Sequence, residues 1–168
     1  PEHGKMNTGV MGTWTASNSI FQNAQELGKQ IKFTQESMNA WHVDLVAHSM
    51  GGLISRFYIH SFMPTDSPDG KPYITHLVML GTPNEGSPCA DLADGAFDYF
   101  GKPVEAIRQL KPSVVADFNR ETTNRKGVQF STGRELTSED VKYNFMRVRD
   151  AKVGGGGWVT FSNWWTID

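Results

Sequence analysis

The 168-residue sequence predicts an α/β fold, in which crossover helices connect the strands of a parallel sheet. Two short apolar segments typical of strands, 42–47 and 74–80, alternate with segments whose apolar residues recur at helical spacing. Strands that alternate with helices are characteristic of βαβ units, whose strands run parallel. Hydrophobic residues make up 38% of the chain and charged residues 20%, which fits a globular domain better than a disordered chain.

The predicted elements follow one another in a regular order. A first helix is predicted over 19–33, where Leu27 and Ile31 fall on one apolar face. A loop or lid is predicted over 84–101, because this segment is rich in Gly and Asp. The other predictions are a strand over 42–47 with a helix directly after it, a strand over 74–80, a helix over 104–118 that breaks near Pro112, a strand over 128–130 and a capped helix over 137–148.

Charge and composition argue against several classes of partner and cofactor. The formal net charge of −2 supplies no positive field for phosphates, so nucleic acid is not an expected partner. No run of 18 apolar residues occurs, so no transmembrane segment is predicted. The single cysteine, Cys89, cannot form an internal disulfide, and no zinc-type spacing of Cys and His is present. We therefore expect neither a metal nor a cofactor.

The strongest motif is VDLVAHSMGG at 43–52, which matches the G-x-S-x-G pattern with Ala47 in place of the first glycine. In this pattern Ser49 lies on a sharp turn between a strand and a helix, and the turn pushes its hydroxyl clear of the sheet. The positions two before and two after the serine must then be small, as Ala47 and Gly51 are. We predict that Ser49 is a catalytic nucleophile and that the Met50 amide, at the positive end of the helix, is an oxyanion donor.

The residues around this motif distinguish two interpretations. In the simpler one, Ser49 is an ordinary N-cap of a helix that follows a buried strand. In the other, Gly52 lets the helix pack close to the sheet, and the ring of His48 points away from the Ser49 hydroxyl. The apolar strand before the motif and the amphipathic helix after it favour the second interpretation, a nucleophile elbow.

The motif and its surroundings resemble bacterial lipases and esterases of the α/β-hydrolase superfamily over about residues 10–124. Residues 43–59 look like the elbow of that group, and LVMLGTPNEGSP at 77–88 is similar to the strand and loop that follow the elbow helix. PSVVADFN at 112–119 is similar to a later helix. The resemblance implies a partial α/β-hydrolase fold and a serine hydrolase that acts on a small-molecule ester or a lipid through an acyl-enzyme at Ser49.

The sequence offers no partner for Ser49 in a catalytic triad. The order in that superfamily is nucleophile, acid and then histidine, but no histidine follows His76. The Asp residues of the predicted lid, Asp91, Asp94 and Asp98, are expected only to be solvated. A serine without its general base loses on the order of 10⁶ in turnover, so these residues alone should form a poor hydrolase. The five histidines, all expected to be surface or packing residues, are His3 (with Gly4, in a loose terminus rather than an oxyanion loop), His42, His48, His60 and His76.

The last part of the chain resembles a second, unrelated family. RKGVQF at 125–130 and GRELTSEDVKYNF at 133–145 resemble the extracytoplasmic solute-binding proteins of peptide-type ABC importers. The charge balance changes at the same place, from 9 basic and 13 acidic residues before Arg125 to 7 basic and 5 acidic residues from there on. We therefore predict two segments, 1–124 and 125–168, although a strand, turn and helix shared by chance would give the same pattern.

Three alternatives to a complete hydrolase follow from these observations. The chain can be a truncated fragment, since Pro1 and the aromatic segment 158–168 both read as possible fragment boundaries. It can be a composite of two proteins. It can also be part of a peptide-importer receptor, in which Trp158, Trp164 and Trp165 would contact the ligand. Both resemblances imply a secreted or periplasmic location.

Overall fold

The computed structural model describes residues 4–8, 16–65, 67–99 and 104–130, and it confirms the predicted α/β class. Three parallel strands in the order β1-β2-β3 form one sheet, and helices lie between them in the chain. The predicted helix 137–148 and the aromatic segment 158–168 lie outside the described residues. The elements are α1 (Ile20–Met38), β1 (Val43–His48), α2 (Met50–Ser61), β2 (Ile74–Leu80), α3 (Pro88–Tyr99), α4 (Glu105–Gln109), α5 (Pro112–Glu121) and β3 (Gln129–Phe130).

The register of the sheet places the ends of β1 and β2 side by side. Ala47 lies opposite Met79, and His48 lies opposite Leu80. The ladder continues for one more residue, because the Ser49 amide donates a hydrogen bond of 2.9 Å to the Leu80 carbonyl. Since both strands are parallel, the segments that leave them start at the same edge of the sheet.

One face of the sheet is covered by helix α2, and helix α1 packs against α2. Along β1 the burial alternates, so that Ala47 is buried on this face whereas Asp44, Val46 and His48 are exposed on the other. A fully buried Leu, Ile or Val side chain contributes about 1.5–3 kcal/mol relative to an exposed one. The largest completely buried apolar side chains are Leu53, Ile54, Ile59, Ile74, Leu77 and Val115.

Helix α1 starts within one residue of its predicted start, and it ends five residues after its predicted end at residue 33. Ser19 caps its first turn in a capping box with Gln22, and Asn39 ends it with φ of 48°. The apolar stripe stops at Ile31, whereas the last turns consist mainly of exposed residues that hold no periodic signal. The predicted end at residue 33 was therefore too early, because the cap rather than the stripe ends this helix.

The prediction of a loop or lid over 84–101 was wrong in part, because helix α3 occupies Pro88–Tyr99. Proline is favoured at the first helical position, where its missing N–H leaves no bond unmade. The expectation that Asp94 is merely solvated was also wrong. Its buried carboxylate accepts hydrogen bonds from Lys111 at 2.9 Å and Arg108 at 3.3 Å, which attach α3 to α4 and to the residue before α5. Asp91 remains exposed, 3.7 Å from Lys111.

Two further predictions concern the end of the described chain and membrane insertion. The strand predicted over 128–130 corresponds to β3, whose two residues pair with His76 and Leu77 of β2. Among the described residues, no helix is both long and apolar enough to cross a bilayer.

The ion pairs of Asp94 predict how stability changes with pH. The hydrogen bond from Lys111 is the main cause that keeps the pKa of Asp94 below its ordinary value. A carboxylate whose pKa is lower in the folded state stabilises the protein above its unfolded pKa, and this contribution disappears as the pH falls through the folded pKa. We therefore expect Asp94→Asn to lower the urea midpoint at pH 7 and to differ less from the wild type as the pH falls below about 4.

The matched control is Asp117→Asn, since Asp117 pairs with Arg120 on the exposed surface of α5. Exposed pairs contribute about 0–1 kcal/mol, so the urea midpoint of this variant should be close to that of the wild type at pH 7 and also below a pH of about 4. Equal midpoints for Asp94→Asn and Asp117→Asn at pH 7 would show that the Asp94 pairs do not stabilise the fold.

Candidate active site

The backbone of Ser49 has an unusual conformation at the junction of β1 and α2. Its φ of 52° and ψ of −131° lie outside the regions that residues with a Cβ ordinarily occupy. Asn39 is the one other described residue besides glycines that has a positive φ, and it ends a helix. An ordinary N-cap serine has an extended backbone and accepts a hydrogen bond through its side chain. Ser49 does neither, so the simpler interpretation of the motif is wrong.

The small residues of the motif allow the chain to make this turn. A Cβ placed on Gly51 would lie 3.8 Å from the Cβ of Ala47, so these two residues face each other across the turn. A Cβ placed on Gly52 would lie 2.0 Å from Oγ1 of Thr82, the second residue after β2. Gly52 therefore permits a close contact between α2 and the loop after β2, whereas the sequence predicted a close contact between α2 and the sheet.

The first residue of α2 presents a backbone donor beside Ser49. Met50 is anchored by its buried side chain, and its amide is at the end of the helix that carries a partial positive charge. Within the described residues, no hydrogen bond occupies this amide. The Gly52 amide, in contrast, donates to the Ser49 carbonyl at 3.1 Å and closes the first turn. The geometry thus places the half-buried Ser49 and a backbone amide without a described hydrogen-bond acceptor at one point of the sheet edge.

Two histidines form carboxylate pairs that sequence reasoning missed, but these pairs lie away from Ser49. His42 Nε2 is 2.9 Å from Asp69 Oδ2, and His76 Nδ1 is 2.6 Å from Asp44 Oδ1. Both pairs lie toward the amino-terminal ends of the strands. Asp44 precedes Ser49 by five residues of extended chain, or about 16 Å. The sequence alone does not predict these pairs, because one depends on the register that places Asp44 opposite His76 and the other on the position of Asp69 in the loop before β2.

The other histidines do not complete the site either. His48 is exposed on the face of β1 opposite to Ala47, and His60 at the end of α2 lies 3.2 Å from the Thr123 hydroxyl. His3 lies outside the described residues, and Gly4 packs on α1, where its carbonyl accepts a hydrogen bond from Gln30. Among the described residues, no histidine is hydrogen-bonded to Ser49, and no group of three His, Cys, Asp or Glu could hold a metal ion.

The loop after β2 contains two residues, Thr82 and Asn84, whose contacts with α2 no sequence pattern predicts. Thr82 packs against Gly52, and two residues later Asn84 accepts a hydrogen bond of 2.9 Å from Arg56 of α2. Arg56 is partly buried, and this burial lowers its pKa. Its guanidinium also lies over the ring of Phe118, 5.0 Å from the centroid. These contacts join residues that are far apart in the sequence, so no local pattern predicts them.

The chain is similar to one family model and to several solved structures. A model described as a domain of unknown function, DUF7379, matches residues 13–96. No curated protein matches the chain. The lipase BlEst2 of Bacillus licheniformis, in its mature form, aligns with a TM-score of 0.55 and 20% identity over 79% of this chain and 56% of that one. Phospholipase PlaB of Legionella pneumophila aligns with a TM-score of 0.54 and 16% identity over 73% of this chain and 29% of that one.

These similarities establish the fold and its extent. The PlaB structure with thio-NAD gives a TM-score of 0.52 at 18% identity, over 73% of this chain and 27% of that one. The chain therefore has a partial α/β-hydrolase fold and spans little more than half of the lipase and under a third of the phospholipase. None of these findings supports the resemblance of residues 125–168 to solute-binding proteins.

We expect substitution by alanine to have opposite effects on stability at the two glycines of the elbow, Gly51 and Gly52. Gly52→Ala forces a methyl group into the stiff side chain of Thr82 and should destabilise the protein by about 1–3 kcal/mol. Gly51→Ala meets only an ordinary contact with Ala47 and gains up to about 1 kcal/mol of helix propensity. Urea unfolding of both variants tests this difference, and equal loss of stability in the two would contradict the described packing of Gly52.

Proposed function

Because the chain belongs to the DUF7379 family, a domain of unknown function, its activity has to be inferred from the site, and we propose that it is the nucleophile-bearing part of a serine ester hydrolase. The observation that carries this proposal is the backbone of Ser49, with φ of 52° and no capping hydrogen bond from its side chain. Strained conformations of this kind cost about 1–3 kcal/mol and cluster at active sites. A serine that only capped a helix would have no reason to adopt one.

The proposed reaction begins with attack of Ser49 Oγ on the carbonyl carbon of an ester. A bond forms between Oγ and this carbon, the bond to the leaving alcohol breaks, and the hydroxyl proton passes to the alcohol. The amide of Met50 stabilises the negative charge that develops on the carbonyl oxygen, and one such donor is worth about 2.7–4 kcal/mol. Water then hydrolyses the acyl-enzyme and releases the carboxylic acid.

The proposal assigns the nucleophile, the oxyanion donor and four residues that shape the elbow: Ala47, His48, Gly51 and Gly52. It assigns no described histidine as the general base, because none is hydrogen-bonded to Ser49. The proposed substrate is a small ester or a lipid, a class supported by the names lipase and phospholipase of the structural neighbours. A secreted or periplasmic location belongs to the same proposal.

A fluorophosphonate tests the nucleophile directly, because it forms a covalent bond with an activated serine hydroxyl. We expect label on the peptide that contains Ser49 in the wild-type chain and none there after Ser49→Ala, as measured by intact mass and peptide mapping. Ser61→Ala is the matched control, since it changes an exposed serine at the other end of the same helix. This variant should label as the wild type does. A folded wild-type chain that takes up no label, or equal label in Ser49→Ala, would refute the nucleophile.

A further inference from the structure

We propose that Arg56 is a positioning residue for the nucleophile elbow. A series of direct contacts connects it to Ser49 through Asn84, Thr82 and Gly52, and these contacts fix the first turn of α2 together with the Met50 amide. The catalytic meaning of this inference rests on the function proposed for Ser49, whereas the contacts themselves do not.

The first step is the hydrogen bond between Arg56 and Asn84. Arg56 lies on α2 about two turns after Ser49 and faces the loop that follows β2. Its Nη1 atom donates to Oδ1 of Asn84 at 2.9 Å. Within the described residues, no carboxylate pairs with this partly buried guanidinium. The acceptor of this partly buried charge is therefore a neutral amide, and the hydrogen bond holds the two side chains in a fixed geometry without an ion pair.

The second step is the rigid position of Asn84. Its carbonyl accepts a hydrogen bond of 2.7 Å from Nδ2 of Asn119, and its amide donates one of 2.8 Å to the Thr82 carbonyl. The side chain and both backbone polar groups of Asn84 are therefore engaged by helices α2 and α5 and by the loop itself. Asn84 has little freedom to move, so Thr82, two residues before it, is held as well.

The third step is the contact between Thr82 and the elbow. The side chain of Thr82 fills the space where a Cβ of residue 52 would be, and the Gly52 amide donates to the Ser49 carbonyl at 3.1 Å. Oγ1 of Thr82 is buried and makes no hydrogen bond with a described residue. A buried hydroxyl without a partner is unfavourable, so the surrounding structure must force it into place. Arg56 and Asn84 supply that force from the other side of the loop.

The consequence concerns the rate of chemistry at Ser49. A donor aimed at a developing oxyanion works only in the correct place, and a displacement of about 1 Å can cost on the order of 10²-fold in rate. If Arg56 no longer holds Asn84, Thr82 can move away from Gly52, and the first turn of α2 loses its support. We expect the folded protein to keep its shape while the elbow becomes less well ordered.

The experiment compares fluorophosphonate labelling of Ser49 in variants of the full chain. Arg56→Gln and Asn84→Ala should each slow labelling by about 10- to 100-fold. The double variant should be no slower than either single one, because both remove the same hydrogen bond. Asn84→Asp keeps an acceptor for Arg56 and should label within a few-fold of the wild type. Phe118→Leu, the control, removes the ring beneath Arg56 without touching Asn84 and should lower the thermal midpoint more than the labelling rate.

A second readout needs no chemistry at Ser49. Amide hydrogen exchange, followed by NMR, should be faster at Gly52, whose amide donates to the Ser49 carbonyl, in Arg56→Gln and Asn84→Ala, and unchanged in Phe118→Leu. If the wild type takes no label, the proposed function fails, and faster exchange in the two variants still supports the positioning role. If exchange and labelling in both variants equal those of the wild type, Arg56 does not position the elbow.

Discussion

The described part of the fold is organised around one constraint, the positive φ of Ser49. The residue ends the ladder of β1, through its amide bond to Leu80, and in the next peptide the chain already enters α2. A strand can change into a helix this abruptly only if one residue absorbs the whole change of direction. The small residues Ala47 and Gly51 leave room for that turn, and the contact of Gly52 with Thr82 sets how closely the helix approaches the loop after β2.

The strain at Ser49 is sustained by packing elsewhere. A conformation of this kind costs about 1–3 kcal/mol, whereas each completely buried apolar side chain contributes about 1.5–3 kcal/mol. Leu53 and Ile54, which follow Ser49 by four and five residues in α2, belong to that buried set. The core can therefore hold the turn in a shape that it would not adopt alone. The same arrangement leaves the Ser49 hydroxyl without a partner among the described residues.

The sequence predicted those features that depend on neighbours along the chain. The sharp turn at Ser49 could be predicted because such a turn requires small residues at fixed positions. The strands 42–47 and 74–80 could be predicted from their short apolar runs. Helix α3 was missed because Gly and Asp suggested a loop, whereas Lys111 and Arg108, far along the chain, neutralise Asp94. The hydrogen bond between Arg56 and Asn84 was invisible for the same reason, since it forms only when α2 lies beside the loop after β2.

The most direct test of the account is the stability of Ser49→Gly relative to the wild type and to Ser49→Ala, measured by urea unfolding. A strained serine predicts that Ser49→Gly is at least as stable as the wild type and gains up to about 1 kcal/mol, because glycine tolerates positive φ. Ser49→Ala keeps the Cβ and should gain nothing. An ordinary N-cap serine predicts that both variants lose stability, with alanine the worse of the two. A loss of stability in Ser49→Gly would therefore contradict the strained turn on which the proposed nucleophile depends.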